Sequence, residues 1–237
     1  MGGRVVPATE TNRRVVVWFA VASAALAIIY VVGQLLEWRG LLGSSGGPDG
    51  ISTPLGIVVL LLPSLLLASA FVITMAALHS FAPAGKNALS RAALAFATMY
   101  ATLVSLVYFV QLTLVAPRMV AGDMTGIEFL RFVPYRSFLF AVDLLGYSFM
   151  SVSTLLGAFA LPEFRQNRWA KALMAANGLL LPFVAFQMLV PQLIWGGALW
   201  GFTFPAAMLS VASMVSQRRD IARPAPEASV EPTPAPG

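Results

Sequence analysis

Ser137 to Leu161 reads SFLFAVDLLGYSFMSVSTLLGAFAL, and the fold turns on how this stretch is taken. As a helix it would be about 37 Å long at 1.5 Å per residue, enough to cross the hydrocarbon core of a bilayer. One carboxylate, Asp143, lies about 9 Å along such a helix and is the only formal charge inside any long apolar run of the chain. A charge at that depth is costly. Asp143 is therefore expected to face the bundle interior or a wet cavity, and it is the first functional candidate.

The rest of the chain is of the same kind. Of 237 residues, 58% are hydrophobic and 11% charged, and the mean hydropathy of +0.80 lies far outside the range of soluble domains. There is no cysteine, which excludes disulfides and thiolate chemistry, and a single histidine, His79, excludes a bis-histidine haem. The net charge of +5 would suggest nucleic acid in a soluble protein. Here the basic residues cluster at the ends of apolar runs, so no nucleic-acid partner is expected.

Six runs have the length of a membrane span: Val15 to Leu36, Pro54 to Leu78, Ala92 to Ala116, Ser137 to Leu161, Ala172 to Val190 and Ile194 to Val215. Asn12-Arg13-Arg14 faintly resembles a twin-arginine signal, but the first run outlasts a signal-peptide core and five more follow, which favours a retained helix. The expected organisation is all-α: a polar segment over 1–14, one six-helix transmembrane domain over 15–216, and a Pro/Ala/Glu-rich tail over 217–237 too polar to order itself. Lys and Arg number 11 on the side that would hold both termini and 4 on the other. Both termini are thus expected in the cytoplasm of a plasma-membrane protein. In the third connection Thr125-Gly126-Ile127-Glu128 fits a capping box, predicting a short amphipathic surface helix where the alternative is an ordinary loop.

This topology assigns depths to the polar side chains. Tyr30, Gln34 and Glu37 share one face at the outer end of the first helix, and Tyr108 and Gln111 share a face of the third. Asp143 and Tyr147 stand on one stripe of the fourth helix, and Gln187 is about a turn from the outer end of the fifth. The strong hydrogen-bonding groups thus gather in the outer half, with Asp143 as the floor of an outward-facing polar group. Asn177 and scattered hydroxyls are left to the inner half. Against a pocket stands the ordinary reading, in which each polar group finds a partner across a helix interface.

Other features carry less. Trp18, Trp38, Trp169, Trp195 and Trp200 fall near helix ends, where an interfacial belt is the default over a cation-binding cage. Gly196, Gly197 and Gly201 form a small-residue surface suited to close packing. There is no HExxH, no GxSxG and no phosphate loop, and too few metal ligands gather to expect a metal or cofactor. The runs Gln111 to Pro117, Ala141-Val-Asp143-Leu-Leu-Gly146-Tyr147 and Ala175-Ala-Asn177-Gly178-Leu are similar to those of a group of small uncharacterised bacterial six-span proteins. That resemblance implies six helices and no particular activity.

The leading functional expectation is an outward pocket that binds or transports a small amphipathic or cationic molecule. Its residues would be Asp143, Tyr147, Tyr108, Gln111, Gln187, Gln34 and Glu37. The alternatives are an accessory or assembly subunit of a membrane complex, with a membrane-protein partner, and third a membrane-embedded lyase or isomerase.

Overall fold

The computed structural model describes residues 10–164 and 167–217, all helix, turn and loop with no strand among them. The expectations for residues 1–9 and for the tail over 218–237 lie outside the described residues. Among the described residues nine α-helices occur in order: α1 (Glu10–Trp38), α2 (Pro54–His79), α3 (Asn87–Val110), α4 (Ala116–Val120), α5 (Phe138–Ala160), α6 (Arg168–Gly178), α7 (Leu181–Ala185), α8 (Ile194–Gly197) and α9 (Trp200–Gln217). Five helical stretches among these residues are long and apolar enough to cross a membrane: Glu10–Trp38, Pro54–His79, Ala84–Val120, Phe138–Ala160 and Pro191–Gln217. The third joins α3 to α4 through a π-turn, Gln111–Val115, and the fifth contains both α8 and α9.

The stretch expected as a continuous span over Ala172 to Val190 is interrupted. α6 ends at Gly178, and Pro182 opens α7, where its missing N–H costs no helical bond. The break also brings backbone close to α5, since a Cβ on Gly178 would meet Leu155 Cβ at 2.5 Å and Ser151 O at 2.8 Å. Even so, the broken element holds a full place in the bundle. Neighbouring contacts run α1 to α2, α2 to α3, α3 to α5, α5 to α6, α6 to α9 and α9 back to α1, closing a ring of six. Trp38 meets Trp195 and, further back along α1, Tyr30 meets Trp200, so α1 and the α8–α9 stretch run antiparallel and Glu10 and Gln217 lie at the same end.

The helix starts follow from local chemistry. Thr53 Oγ1 accepts the Gly56 N–H at 3.2 Å ahead of Pro54, and Ser137 Oγ accepts the Phe140 N–H at 3.2 Å. α1 is already helical at Glu10, ahead of the apolar run, and that carboxylate bonds Arg13 and, at 3.1 Å, Arg14 on the following turn. The ring closes over a core in which Phe71 meets Tyr100 and Phe204 edge-on. Its outer flanks are apolar as well, with Ile28, Leu62, Leu106 and Leu209 among many exposed large side chains, as expected of a surface covered by lipid.

The expected amphipathic helix after Thr125 does not form. The Thr125 N–H is donated to Asp123 Oδ1 at 3.0 Å, and Arg118 Nε donates to Asp123 O at 2.8 Å. This locks a tight turn followed only by the 3-10 turn Glu128–Leu130. The capping pattern failed because Asp123, two residues earlier, competes for the same N–H groups.

Candidate functional site

At the end of the bundle carrying loops 39–53 and 121–137 lies a cavity of about 360 Å³, within the range of small-molecule pockets. α1 presents Tyr30, Gln34 and Glu37 to it on one face, at i, i+4 and i+7. α3 contributes Tyr108, α5 contributes Asp143 and Tyr147, and Gln187 follows α7. Six of the seven side chains expected at a site therefore line one space.

Gln111 does not. It is fully buried and works on the third loop, its Nε2 donating to Leu130 O at 2.6 Å and its Oε1 accepting the Phe132 N–H at 3.2 Å. Phe132 in turn lines the cavity, so Gln111 acts on the wall through the loop.

Two acids stand out. Asp143 is 8% exposed and its Oδ1 has no hydrogen-bonding partner; Glu37 is 3% exposed and neither carboxylate oxygen has one. Glu37 sits against the first turn of α2, where a Cβ on Gly56 would lie 2.8 Å from its Oε2. The positive end of that helix favours an anion there without neutralising it. The Tyr108 hydroxyl lies within reach of Asp143 and donates to the Tyr147 hydroxyl at 3.1 Å. Among the described residues no Lys, Arg or His lines the cavity. Arg39, Arg131 and Arg136 each adjoin a lining residue in sequence, but none is among the walls. Among the described residues no three His, Asp or Glu side chains gather as metal ligands would.

Asp143 is not the floor. One turn beyond it Tyr147 meets Trp200 edge-on at 5.4 Å, and Trp200 meets Tyr30 at 5.9 Å and stacks on Phe204 at 5.2 Å. Trp200 Nε1 donates to Met150 Sδ at 3.2 Å. These aromatic rings close the bottom, and Asp143 stands in the wall above them. Trp200, read from sequence as an interfacial anchor, is 7% exposed; Trp38 and Trp195 line the cavity and pack edge-on at 5.8 Å. Trp18, Trp169 and Trp195, at 72%, 63% and 62% exposed, stand out on the flank as a belt requires. The signal that could have singled out Trp200 is Gly201 beside it, which brings α9 against Val31 of α1 and leaves the ring no path outward.

The rim is built by loops. Gly46 and Gly47 both adopt left-handed backbone, at φ +73° and +81°, and the Gly47 N–H is donated to Trp38 O at 2.9 Å. That folds Gly47, Pro48, Gly50 and Ser52 over the cavity. Across from them Tyr135 holds φ +60°, unusual for an aromatic residue, and packs edge-on against Phe140 at 5.1 Å. Burial, with a smaller contribution from Asp49, raises the Tyr135 phenol above its ordinary value. Gln187 completes the wall, Nε2 donating to Phe183 O at 2.9 Å, and the side chain rests on Gly197, where a Cβ would come within 2.5 Å.

No protein-family model, no curated protein and no solved structure matches the chain.

Proposed function

We propose that this is a plasma-membrane protein that crosses the bilayer six times, with both termini cytoplasmic, and binds or transports a small amphipathic cation in an outward-facing cavity. The observation that carries the reading is the pair Glu37 and Asp143: two buried carboxylates with unpartnered oxygens in a cavity lined by no basic side chain. Buried anions left without a counter-charge are strongly unfavourable, and a cationic ligand supplies one. Tyr30, Tyr147 and Trp200 add ring faces that attract cations. The amphipathic character rests on Leu35, Trp195 and Phe202, which line the cavity and are also exposed on the flank of the bundle. They mark a side opening through which an alkyl chain reaches lipid.

The six-crossing topology is supported by the closed ring of six, by the shared end of Glu10 and Gln217, and by the Lys/Arg distribution. In it the broken element α6–α7 is the fifth crossing. Irregular backbone at membrane depth is tolerated where it lines a cavity, and Val184 and Gln187 beside the break do so.

Native mass spectrometry of the gently extracted protein, titrated with octylamine, octanol and octanoate, tests the reading. Saturable binding of the amine alone is expected. Equal uptake of all three would contradict a cation site, and a stoichiometric protein partner filling the preparation would favour an assembly subunit instead.

A further inference from the structure

Resting on that reading, we infer that the cavity takes a ligand with two cationic centres separated by an apolar spacer, one centre at Glu37 and the other at Asp143. Both acids are more than nine-tenths buried, both have carboxylate oxygens without a hydrogen-bonding partner, and both residues line the same cavity. They stand at different depths. Glu37 is one residue from the end of α1, whereas Asp143 is six residues past Ser137 and one turn from the Tyr147 that meets the floor. The walls include Val31, Ile57, Leu60 and Leu144, which offer no polar partner to a ligand's middle. A single cation can compensate one acid and leaves the other bare. Two charges joined by an alkyl chain compensate both, and the apolar walls cover the chain.

The ends also differ in kind. Glu37 lies beneath the rim glycines and beside Trp38, whereas Asp143 faces Tyr108 and Tyr147 above the aromatic floor. Entering from the rim, the leading ammonium would reach Asp143 and the trailing one would stop at Glu37.

The test measures binding of ethylenediamine, putrescine, cadaverine, diaminohexane and diaminooctane to the full-length protein in detergent, each beside the monoamine of equal chain length. Affinity is expected to pass through an optimum with spacer length and there to exceed the monoamine at least about tenfold, the equivalent of one further ion pair of about 1.4 kcal/mol. Glu37→Gln and Asp143→Asn should each bring that diamine down to the monoamine's level. Diamines no tighter than monoamines at any length would overturn the two-anchor inference and leave the cation reading standing. Absence of binding by both series would overturn the two together. If either variant does not yield folded protein, the spacer-length dependence of the unaltered protein decides alone.

Discussion

The packed half of the bundle and the half around the cavity contain similar polar residues used in opposite ways. In the packed half most buried hydroxyls and amides have a partner, Ser23 Oγ, Tyr100 OH and Asn167 Oδ1 being the exceptions among the described residues. Ser64 donates to Leu60 O at 2.9 Å, Thr74 to Ala70 O at 2.9 Å and Ser153 across the helix interface to Ala93 O at 2.7 Å. Asn177 donates to Thr154 Oγ1 at 3.1 Å and accepts from the Thr203 hydroxyl at 2.9 Å, joining α6, α5 and α9. Around the cavity, by contrast, three carboxylate oxygens are left over. Polar groups in a membrane bundle are structural when partnered, and where they are buried without partners beside a cavity they mark a candidate ligand site.

Variants on the two sides should therefore separate stability from binding. Trp200 lies on the boundary and should lose both. Trp200→Ala is expected to lower stability by about 3–5 kcal/mol, as for a large aromatic removed from a core, and to weaken cation binding as well. Thermal unfolding in detergent and a binding titration would show an unequal loss if the floor belongs to one half only. Gly178→Val drives a side chain into Leu155 and Ser151 O and should cost about 1–3 kcal/mol, with binding preserved in the protein that folds. Asn177→Leu breaks a satisfied network and should cost at most about 2 kcal/mol; a change in ligand affinity there would erase the distinction between the halves. Gln111→Ala frees two loop backbone groups, at about 1 kcal/mol each. Hydrogen exchange over 127–133 should quicken and cation affinity fall a few-fold, because Phe132 loses its support.

The smallest effect is one of pH. Asp123 is held below the usual carboxylate range first by the Thr125 N–H and hydroxyl and then by Arg118, and Glu163 chiefly by its hydrogen bond from Lys86. Each folded-state pKa lies below its unfolded value, so their stabilisation is present above the ordinary carboxylate pKa and is lost as pH falls toward the folded one. Both side chains are solvent-exposed, so a shallow acid loss in melting temperature is expected, with Glu163→Gln removing its own share.

Much of this was legible in the sequence because apolar run length and helical spacing are strong signals. Tyr30, Gln34 and Glu37 were placed together by i, i+4, i+7 alone, and the runs expected from Pro54 and from Ser137 fall on α2 and α5. What escaped depended on contacts between elements. Asn177-Gly178 and Pro182 lie inside an apolar run whose composition does not reveal that the break packs on α5. The role of Trp200 depends on how closely α9 approaches α1, and that of Gln111 on where the third loop folds back, neither of which a single-helix pattern contains.

The central claim is that Asp143 keeps one oxygen without a partner because its counter-charge is a ligand. It is tested most directly by comparing Asp143→Asn with the unaltered protein for octylamine binding and for thermal unfolding. The account predicts weakened octylamine binding, the remainder held at Glu37, with the melting temperature held or raised, since a buried uncompensated charge has been removed. Unchanged binding together with a destabilised or misfolded protein would contradict it and make Asp143 a structural residue.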